Sequence, residues 1–218
     1  MIKQSTNRFC NEAAASQHGL TVTMRARRWL LALCAIACLV GGMPRTLHAQ
    51  YSDAGTIDRG YQLKALFIYN FGSYVDWPAT AFADAKSPFV IGVVGTTALD
   101  ATLNQIAQTK KIKDRHIVIQ RFASAADVKP CQILFVSNTV PADQRRRIID
   151  QFRNEPVLLV GESRGFADSG GSINFFDEAN KMRFEINLEA AKQRQLKISS
   201  KLLSMAKIVQ TVAGVPGR

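Results

Sequence analysis

Residues 89–95 read FVIGVVG, a continuous apolar run with the length of one strand. A run of this kind, with no alternation of apolar and polar residues, is typical of a strand that is covered on both faces. Two shorter runs of the same type follow at residues 133–136 (ILFV) and 157–160 (VLLV). Because strands buried on both faces belong mostly to parallel sheets, the three runs predict a parallel β-sheet with helices on both sides.

The segments around these runs have helical patterns. Apolar residues recur at three- and four-residue spacing over residues 56–75, Leu63 and Leu66 among them, and Pro78 follows the end of the pattern. Further elements are predicted at residues 98–107 (helix), 116–120 (strand) and 141–153 (helix). Strands and helices therefore alternate, which predicts an α/β fold: a mostly parallel sheet flanked by helices, with right-handed crossovers.

The last fifty residues have a different pattern. Two glycines at 170–171 precede an apolar segment, turn residues follow at 177–181, and residues 182–186 return with strict alternation. This arrangement predicts an antiparallel β-hairpin near the C-terminus. Helices are predicted after it at residues 188–193 and 199–210, the second on the basis of an apolar stripe.

The charge of the chain is concentrated at its start. There are 28 Lys and Arg residues against 17 Asp and Glu, a formal charge of +11 over 218 residues. Six basic residues and one acidic residue precede residue 50, which leaves 22 basic against 16 acidic residues, or +6, for the remainder. A charge of this size is ordinary for a soluble domain, so nucleic acid is not expected as a partner.

The segment before residue 50 has the three parts of a secretory signal. Met24 is followed by a basic cluster, then by the apolar run 29–40, and Ala49 is the small residue before the predicted cut. We therefore expect residues 1–49 to be an upstream extension plus a signal peptide, with the start at Met24 and cleavage after Ala49. Residues 50–218 would form a single domain in the periplasm. A retained N-terminal anchor is the alternative.

The predicted cut divides the four cysteines. Cys10, Cys34 and Cys38 precede it, and only Cys131 follows. The mature chain could then form neither an internal disulfide nor a thiolate metal site, and no metal is expected. Cys131 adjoins a strand-like segment, which favours an unpaired, half-buried thiol. Pairing between two chains is the alternative.

The sequence lacks the patterns that enzymes of the common classes carry. After residue 49 there is one histidine, His116, within a strand pattern. We find no H-E-x-x-H and no phosphate-binding loop, and the carboxylates at Glu155 and Glu162 are interpreted as solvated surface groups. No catalytic residue, no cofactor and no enzymatic activity is therefore expected.

Two groups of residues are candidates for binding a partner. Phe71, Tyr74 and Trp77 form an aromatic run at the end of the first helix, and aromatic residues are enriched among interface anchors. The alternative for Trp77 is a role in capping the core. The second group lies on one face of the returning hairpin strand and comprises Arg183, Glu185 and Asn187. Its alternative is an internal ion pair that holds the hairpin together.

Five stretches, taken in order, resemble the signatures of the YfiR-like family of periplasmic proteins. They are KALFIYNF (64–71) closing on VDWP (75–78), CQILFVS (131–137), GGSINF (170–175), RFEINL (183–188) and LKISSKLLSMA (196–206). The resemblance covers about residues 60 to 210.

The resemblance implies a regulatory function. Proteins of this family are periplasmic, and a known member represses an inner-membrane diguanylate cyclase by binding its periplasmic region, which lowers cyclic-di-GMP and biofilm formation. An outer-membrane lipoprotein is the second partner that the resemblance implies, and a homodimer is a further candidate. Relatives can carry extra cysteines that form disulfides, which this mature chain lacks. The alternative function is a small-ligand sensing module that serves a histidine kinase or another membrane receptor, because sheets of this kind offer pockets at strand ends.

Overall fold

A computed structural model describes the backbone of residues 53–210 and the side chains of residues 59–210. The predicted signal peptide, its cleavage site after Ala49 and the three cysteines before that site lie outside the described residues. The helices are α1 (Asp53–Tyr74), α2 (Asp100–Thr109), α3 (Ala142–Gln151), α4 (Leu188–Gln193) and α5 (Ser200–Leu203). The strands are β1 (Val75–Asp76), β2 (Phe89–Val94), β3 (Lys111–Ile112), β4 (Arg115–Phe122), β5 (Ile133–Val136), β6 (Leu158–Gly161), β7 (Ile173–Glu178), β8 (Lys181–Asn187), β9 (Lys197–Ile198) and β10 (Lys207–Val209).

Eight of these strands form one sheet in the order β10-β8-β7-β6-β5-β2-β4-β3. Strands β4, β2, β5, β6 and β7 pair in parallel, whereas β7 and β8 form an antiparallel hairpin in which Phe175 faces Phe184. Strands β1 and β9 form a separate antiparallel ribbon. The predicted fold class is therefore confirmed: a mostly parallel sheet, helices on its faces, and a C-terminal hairpin.

The sheet is buried on both faces because its central strands are apolar throughout. On one face, Ile91 and Phe135 pack with α1 and α2 in the larger core. On the other face, Leu134 and Leu159 pack with α3 through Ile148. Adjacent residues of one strand thus belong to different cores, as the uninterrupted runs in the sequence predict.

Only part of the apolar pattern of helix α1 faces the core. Ala65, Ile68 and Phe71 have no exposed surface, whereas Leu63 and Leu66 are 44% and 48% exposed. Ala65, Ile68 and Phe71 recur at three-residue spacing, and this row, which includes the small Ala65, faces the larger core. Leu63 and Leu66 belong to the predicted helical pattern but lie outside the core.

Aromatic packing fixes α1 against the hairpin. The Phe71 ring centroid lies 5.7 Å from that of Phe175 and 5.3 Å from that of Phe184, and Phe67 lies 5.4 Å from Phe184. Ring pairs at these separations contribute beyond the area that they bury. The hairpin is therefore part of the larger core.

The loop between β6 and β7 folds around one phenylalanine. A Cβ atom at Gly161 would lie 2.4 Å from the Phe166 ring, and one at Gly171 would lie 2.3 Å from it. A side chain at either position would displace the ring. The two glycines therefore leave room for the Phe166 ring to pack against the chain on both sides of the loop, residues 162–170.

The C-terminal segment differs from its prediction. The helix predicted over residues 199–210 ends at Leu203, and Lys207–Val209 forms the edge strand β10 instead. Lys207 lies beside Glu185, and Ile208 beside Ile186, in a parallel pairing with β8. The β-branched pair Ile208 and Val209 favours this strand, and the pairing satisfies the backbone groups of β8 on that side.

Candidate functional site

Aromatic and charged side chains gather at two opposite edges of the parallel sheet. Trp77 contacts Phe89, the first residue of β2, and Gln132, which precedes β5, so it lies at the amino edge. Glu162 follows β6 and Asn138 lies just beyond β5, so they lie at the carboxyl edge.

The ribbon of β1 and β9 shapes the amino edge. Val75 pairs with Ile198 and Asp76 with Lys197, and the Ser199 amide donates to the Tyr74 carbonyl at 3.0 Å. The chain leaving α1 is thereby held to the C-terminal segment. Tyr74 directly precedes β1 and Trp77 directly follows it.

Trp77 is half-buried and held by two specific contacts. Its indole Nε1 donates to the Gln132 carbonyl at 3.1 Å, and its ring meets Phe89 edge to face at 5.1 Å. The Gln132 side chain is itself buried, with Oε1 accepting from the Val90 amide at 2.7 Å and Nε2 donating to the Ala81 carbonyl at 2.5 Å. The indole is therefore oriented by contacts with the buried Gln132 and Phe89, while the residue stays partly exposed.

One lysine lies over each of the rings of Tyr74 and Trp77. Lys201 Nζ lies 5.1 Å from the centroid of Tyr74, and Lys113 Nζ lies 6.0 Å from that of Trp77. Lys113 also pairs with Asp76, whose neighbour across the ribbon is the exposed Lys197. We call this set the ribbon surface; its members are Tyr74, Asp76, Trp77, Lys113, Lys197 and Lys201. Three cations against one anion make it basic.

Phe71, the third aromatic candidate, is not on the ribbon surface. It has no exposed area and packs between the hairpin phenylalanines. The structure therefore brings Tyr74 and Trp77 together with lysines and places Phe71 in the core.

The hairpin candidates lie in three different environments. Arg183 is exposed and pairs with Glu178 across the hairpin, Nε to Oε2 at 2.8 Å, with both side chains more than half exposed. Glu185 is buried and accepts from Asn174 Nδ2 at 3.1 Å. Arg183 therefore does form an ion pair across the hairpin, but its partner is Glu178 and the pair is solvated rather than internal.

Asn187 has a structural position at the end of β8. Its Oδ1 accepts from the Ala190 amide at 2.9 Å and so caps α4, and its Nδ2 donates to the Ala167 carbonyl at 2.8 Å. The side chain is fully buried. It joins the hairpin, α4 and the loop after β6.

A buried ion pair organises the carboxyl edge. Lys64 Nζ on α1 lies 2.6 Å from Glu162 Oε2, and the Glu162 side chain is only 2% exposed. The other carboxylate oxygen, Oε1, accepts from the Asn138 amide at 3.3 Å and from Ser137 Oγ at 3.4 Å. The interpretation of Glu162 as a solvated surface group is therefore wrong.

Next to this ion pair, a cleft of about 410 Å³ opens over the ends of β6 and β7. Its lining includes charged residues of both signs, together with the buried Asn174 and the rings of Phe175 and Phe176. The charged residues are Lys64, Glu162, Arg164, Asp168, Asp177, Glu185 and Lys207. We call it the carboxyl-edge cleft.

Lys64, Glu162 and Asn174 are not among the site residues that the sequence predicts. The available signal was position, because Glu162 directly follows an apolar run of the parallel sheet, and ligand sites of such sheets lie outside the carboxyl ends of the strands. Lys64 gave no comparable signal, since its partner is 98 residues away.

Ser163 lies in GESRG (161–165), a stretch with G-x-S-x-G spacing that the sequence analysis did not consider. Its buried Oγ has no hydrogen-bond partner among the described residues, so no base is placed to activate it. Within residues 59–210, no group of three His, Cys, Asp or Glu side chains is placed to hold a metal ion. His116 is exposed on β4. Burial raises the pKa of the Cys131 thiol to about 12, and the thiol is unpaired. No helix among the described residues has the length and apolar character needed to cross a membrane.

Comparison with known families decides the assignment. The sequence profile of the YfiR/HmsC-like family matches residues 61–207, well over half of the chain. The chain belongs to this family. All of its elements from the middle of α1 to the start of β10 lie in the matched region.

Membership in the YfiR/HmsC-like family implies a periplasmic regulator of diguanylate cyclase signalling, and the family is generally non-catalytic. Proteins of curated function include no match to this chain. A solved structure, a conserved domain protein from Vibrio cholerae O1 biovar El Tor strain N16961, is 16% identical with a TM-score of 0.45. The match covers 68% of this chain and 59% of that one.

Proposed function

We propose that this protein is a periplasmic repressor that binds the periplasmic region of an inner-membrane diguanylate cyclase and thereby lowers cyclic-di-GMP and biofilm formation. Membership in the YfiR/HmsC-like family supports the regulatory class. The observation that carries the binding role is the ribbon surface, where a half-buried tryptophan lies among three lysines.

The chemistry of the ribbon surface defines its partner. Trp77 offers an apolar face that is already oriented by Gln132 and Phe89, so little side-chain entropy would be lost on binding. Lys197 and Lys201 are exposed and have no acidic partner in a salt bridge within residues 59–210. An acidic segment of the cyclase with an apolar side chain at its centre would complement both features.

The decisive experiment measures binding of the mature domain to the purified periplasmic region of the cyclase. Trp77→Ala should weaken binding by about 2 kcal/mol or more, roughly thirtyfold, as expected for an interface anchor. Lys201→Glu should weaken it mainly at low salt, because the lysine contributes through long-range attraction. Lys192→Glu, an exposed lysine on α4 outside the ribbon surface, is the matched control and should bind normally.

Stability must be measured on the same variants, because Trp77 also packs on Phe89. Normal binding by a folded Trp77→Ala protein would remove the residue from the interface. Deletion of the gene should raise cellular cyclic-di-GMP, and an unchanged level in the deletion strain would contradict the repressor role altogether.

The second candidate function is ligand sensing on behalf of a histidine kinase or another membrane receptor. The carboxyl-edge cleft favours it, because the cleft lies where parallel sheets bind small molecules. An outer-membrane lipoprotein and a second copy of the chain remain proposed partners, and both can be tested as competitors in the cyclase binding assay.

A further inference from the structure

The floor of the carboxyl-edge cleft contains two buried hydrogen-bond acceptors. Asn174 is 1% exposed, and its Oδ1 has no hydrogen-bond partner among the described residues. Glu185 is 9% exposed and receives one hydrogen bond, from Asn174 Nδ2. Within residues 59–210, no salt bridge joins Glu185 to a basic side chain. Buried acceptors and carboxylates are normally paired, so this floor lacks donors.

The basic residues of the cleft do not supply these donors. Lys64 is engaged by Glu162 at 2.6 Å, and Lys207 Nζ lies over the Phe176 ring at 5.8 Å from its centroid. Arg164 is exposed. In the structure, no side chain of the described residues donates to Asn174 Oδ1, which leaves this acceptor open to a donor from outside the chain.

The same features define the class of ligand. A cation with N–H groups would satisfy both the Glu185 carboxylate and Asn174 Oδ1. A volume of about 410 Å³ and walls that include Phe176 and Met182 suit a body with apolar carbon atoms rather than a bare ion. A metal ion is disfavoured, because the described residues include no set of three ligating side chains.

We propose that the carboxyl-edge cleft binds a small organic ammonium ion, whose N–H groups donate to Glu185 and Asn174. The site lies at the edge of the sheet opposite the ribbon surface, and the proposal does not depend on the identity of the cyclase. An ammonium group of this kind belongs either to a free diamine or to an α-amino acid, and the rim residue Arg164 would engage only the carboxylate of the latter.

Calorimetric titration of the mature domain tests the proposal with three probes: 1,4-diaminobutane, L-leucine and choline. Choline carries one positive charge on a quaternary nitrogen, which has no N–H donors, whereas each ammonium group of the other two probes has three. We expect at least one of the first two to bind at least about tenfold more tightly than choline, because a charge-assisted hydrogen bond is lost with the latter. Binding of L-leucine that Arg164→Gln weakens would identify an amino acid; binding of the diamine that Arg164→Gln leaves unchanged would identify a diamine.

Two variants locate the binding. Glu185→Gln keeps the shape of the side chain and removes its charge, so affinity should fall at least about tenfold. Glu178→Gln, on the same hairpin but outside the cleft, should bind as the parent does. In the unmodified protein, the side-chain amide resonances of Asn174 should shift during the titration, which tests the site even if Glu185→Gln unfolds. Equal binding of choline, no binding of either amine, or an unmoved Asn174 amide would overturn the proposal.

Discussion

The two edges of the sheet hold their charged groups in different ways. At the amino edge, Lys113 and Lys201 lie over aromatic rings at the surface, and the Asp76 side chain that pairs with Lys113 is 73% exposed. At the carboxyl edge, Glu162 is 2% exposed and is neutralised by a lysine from α1. Water screens the first set of charges and is largely excluded from the second.

This difference follows from the chain segments that cover each edge. The amino edge is covered by a ribbon of two two-residue strands, in which Asp76 and Lys197 stay exposed. The carboxyl edge is covered by α1 and by the loop of residues 162–170, whose Phe166 ring packs against Gly161 and Gly171. We infer that removal of one charged partner destabilises the protein more at the carboxyl edge than at the amino edge.

The largest expected effect tests the separation of Phe71 from the ribbon surface. Phe71→Ala should lower the free energy of unfolding by about 3 to 5 kcal/mol, because it opens a cavity between α1 and the hairpin. The measurement is chemical unfolding followed by circular dichroism. Leu66→Ala on the same helix is the matched control. It should lower the free energy of unfolding much less than Phe71→Ala does, since Leu66 is 48% exposed. Similar losses for the two variants would contradict the orientation of α1.

A smaller effect compares the ion pairs of the two edges. Lys64→Met should destabilise the protein by about 2 to 3 kcal/mol, because it leaves a buried carboxylate without its cation. Lys113→Met removes the cation of an exposed pair and should cost under about 1 kcal/mol. Urea midpoints of the two variants provide the measurement.

Added salt sharpens the same comparison. At high ionic strength the small cost of Lys113→Met should shrink further, whereas the cost of Lys64→Met should persist because its partner is shielded from solvent. If salt reduces the destabilisation by Lys64→Met and by Lys113→Met equally, the Lys64–Glu162 pair is not shielded from solvent more than the Lys113–Asp76 pair.

The fold was predictable because its signal is local. The uninterrupted apolar runs of β2, β5 and β6 indicate burial on both faces, and glycines followed by alternation indicate the hairpin. The C-terminal prediction was wrong because the stripe with Leu202 and Val209 fits a helix as well as a turn followed by a strand. Only the pairing with β8, a long-range contact, decides between them.

The candidate sites were predictable in part. Aromatic clustering pointed to Trp77, but spacing alone does not separate a buried Phe71 from a half-exposed Tyr74 on the same helix. Strand alternation correctly put Glu185 and Asn187 on one face without showing that the loop after β6 covers that face. The Lys64–Glu162 pair depends on tertiary packing of α1 and has no counterpart in a sequence pattern.

The smallest expected effect concerns the ion pair at the hairpin tip. Arg183 and Glu178 are joined at 2.8 Å, but their side chains are 56% and 59% exposed. Exposed pairs gain little Coulomb energy in water and lose side-chain entropy, so a double-mutant cycle with Arg183→Ala and Glu178→Ala should give a coupling below about 0.5 kcal/mol. Unfolding at low and at high salt measures it, and salt should remove what coupling there is. A coupling above about 2 kcal/mol that persists in salt would mean that the hairpin tip is shielded from water in solution, for instance by a partner chain. The Arg183–Glu178 pair would then no longer differ from the buried Lys64–Glu162 pair.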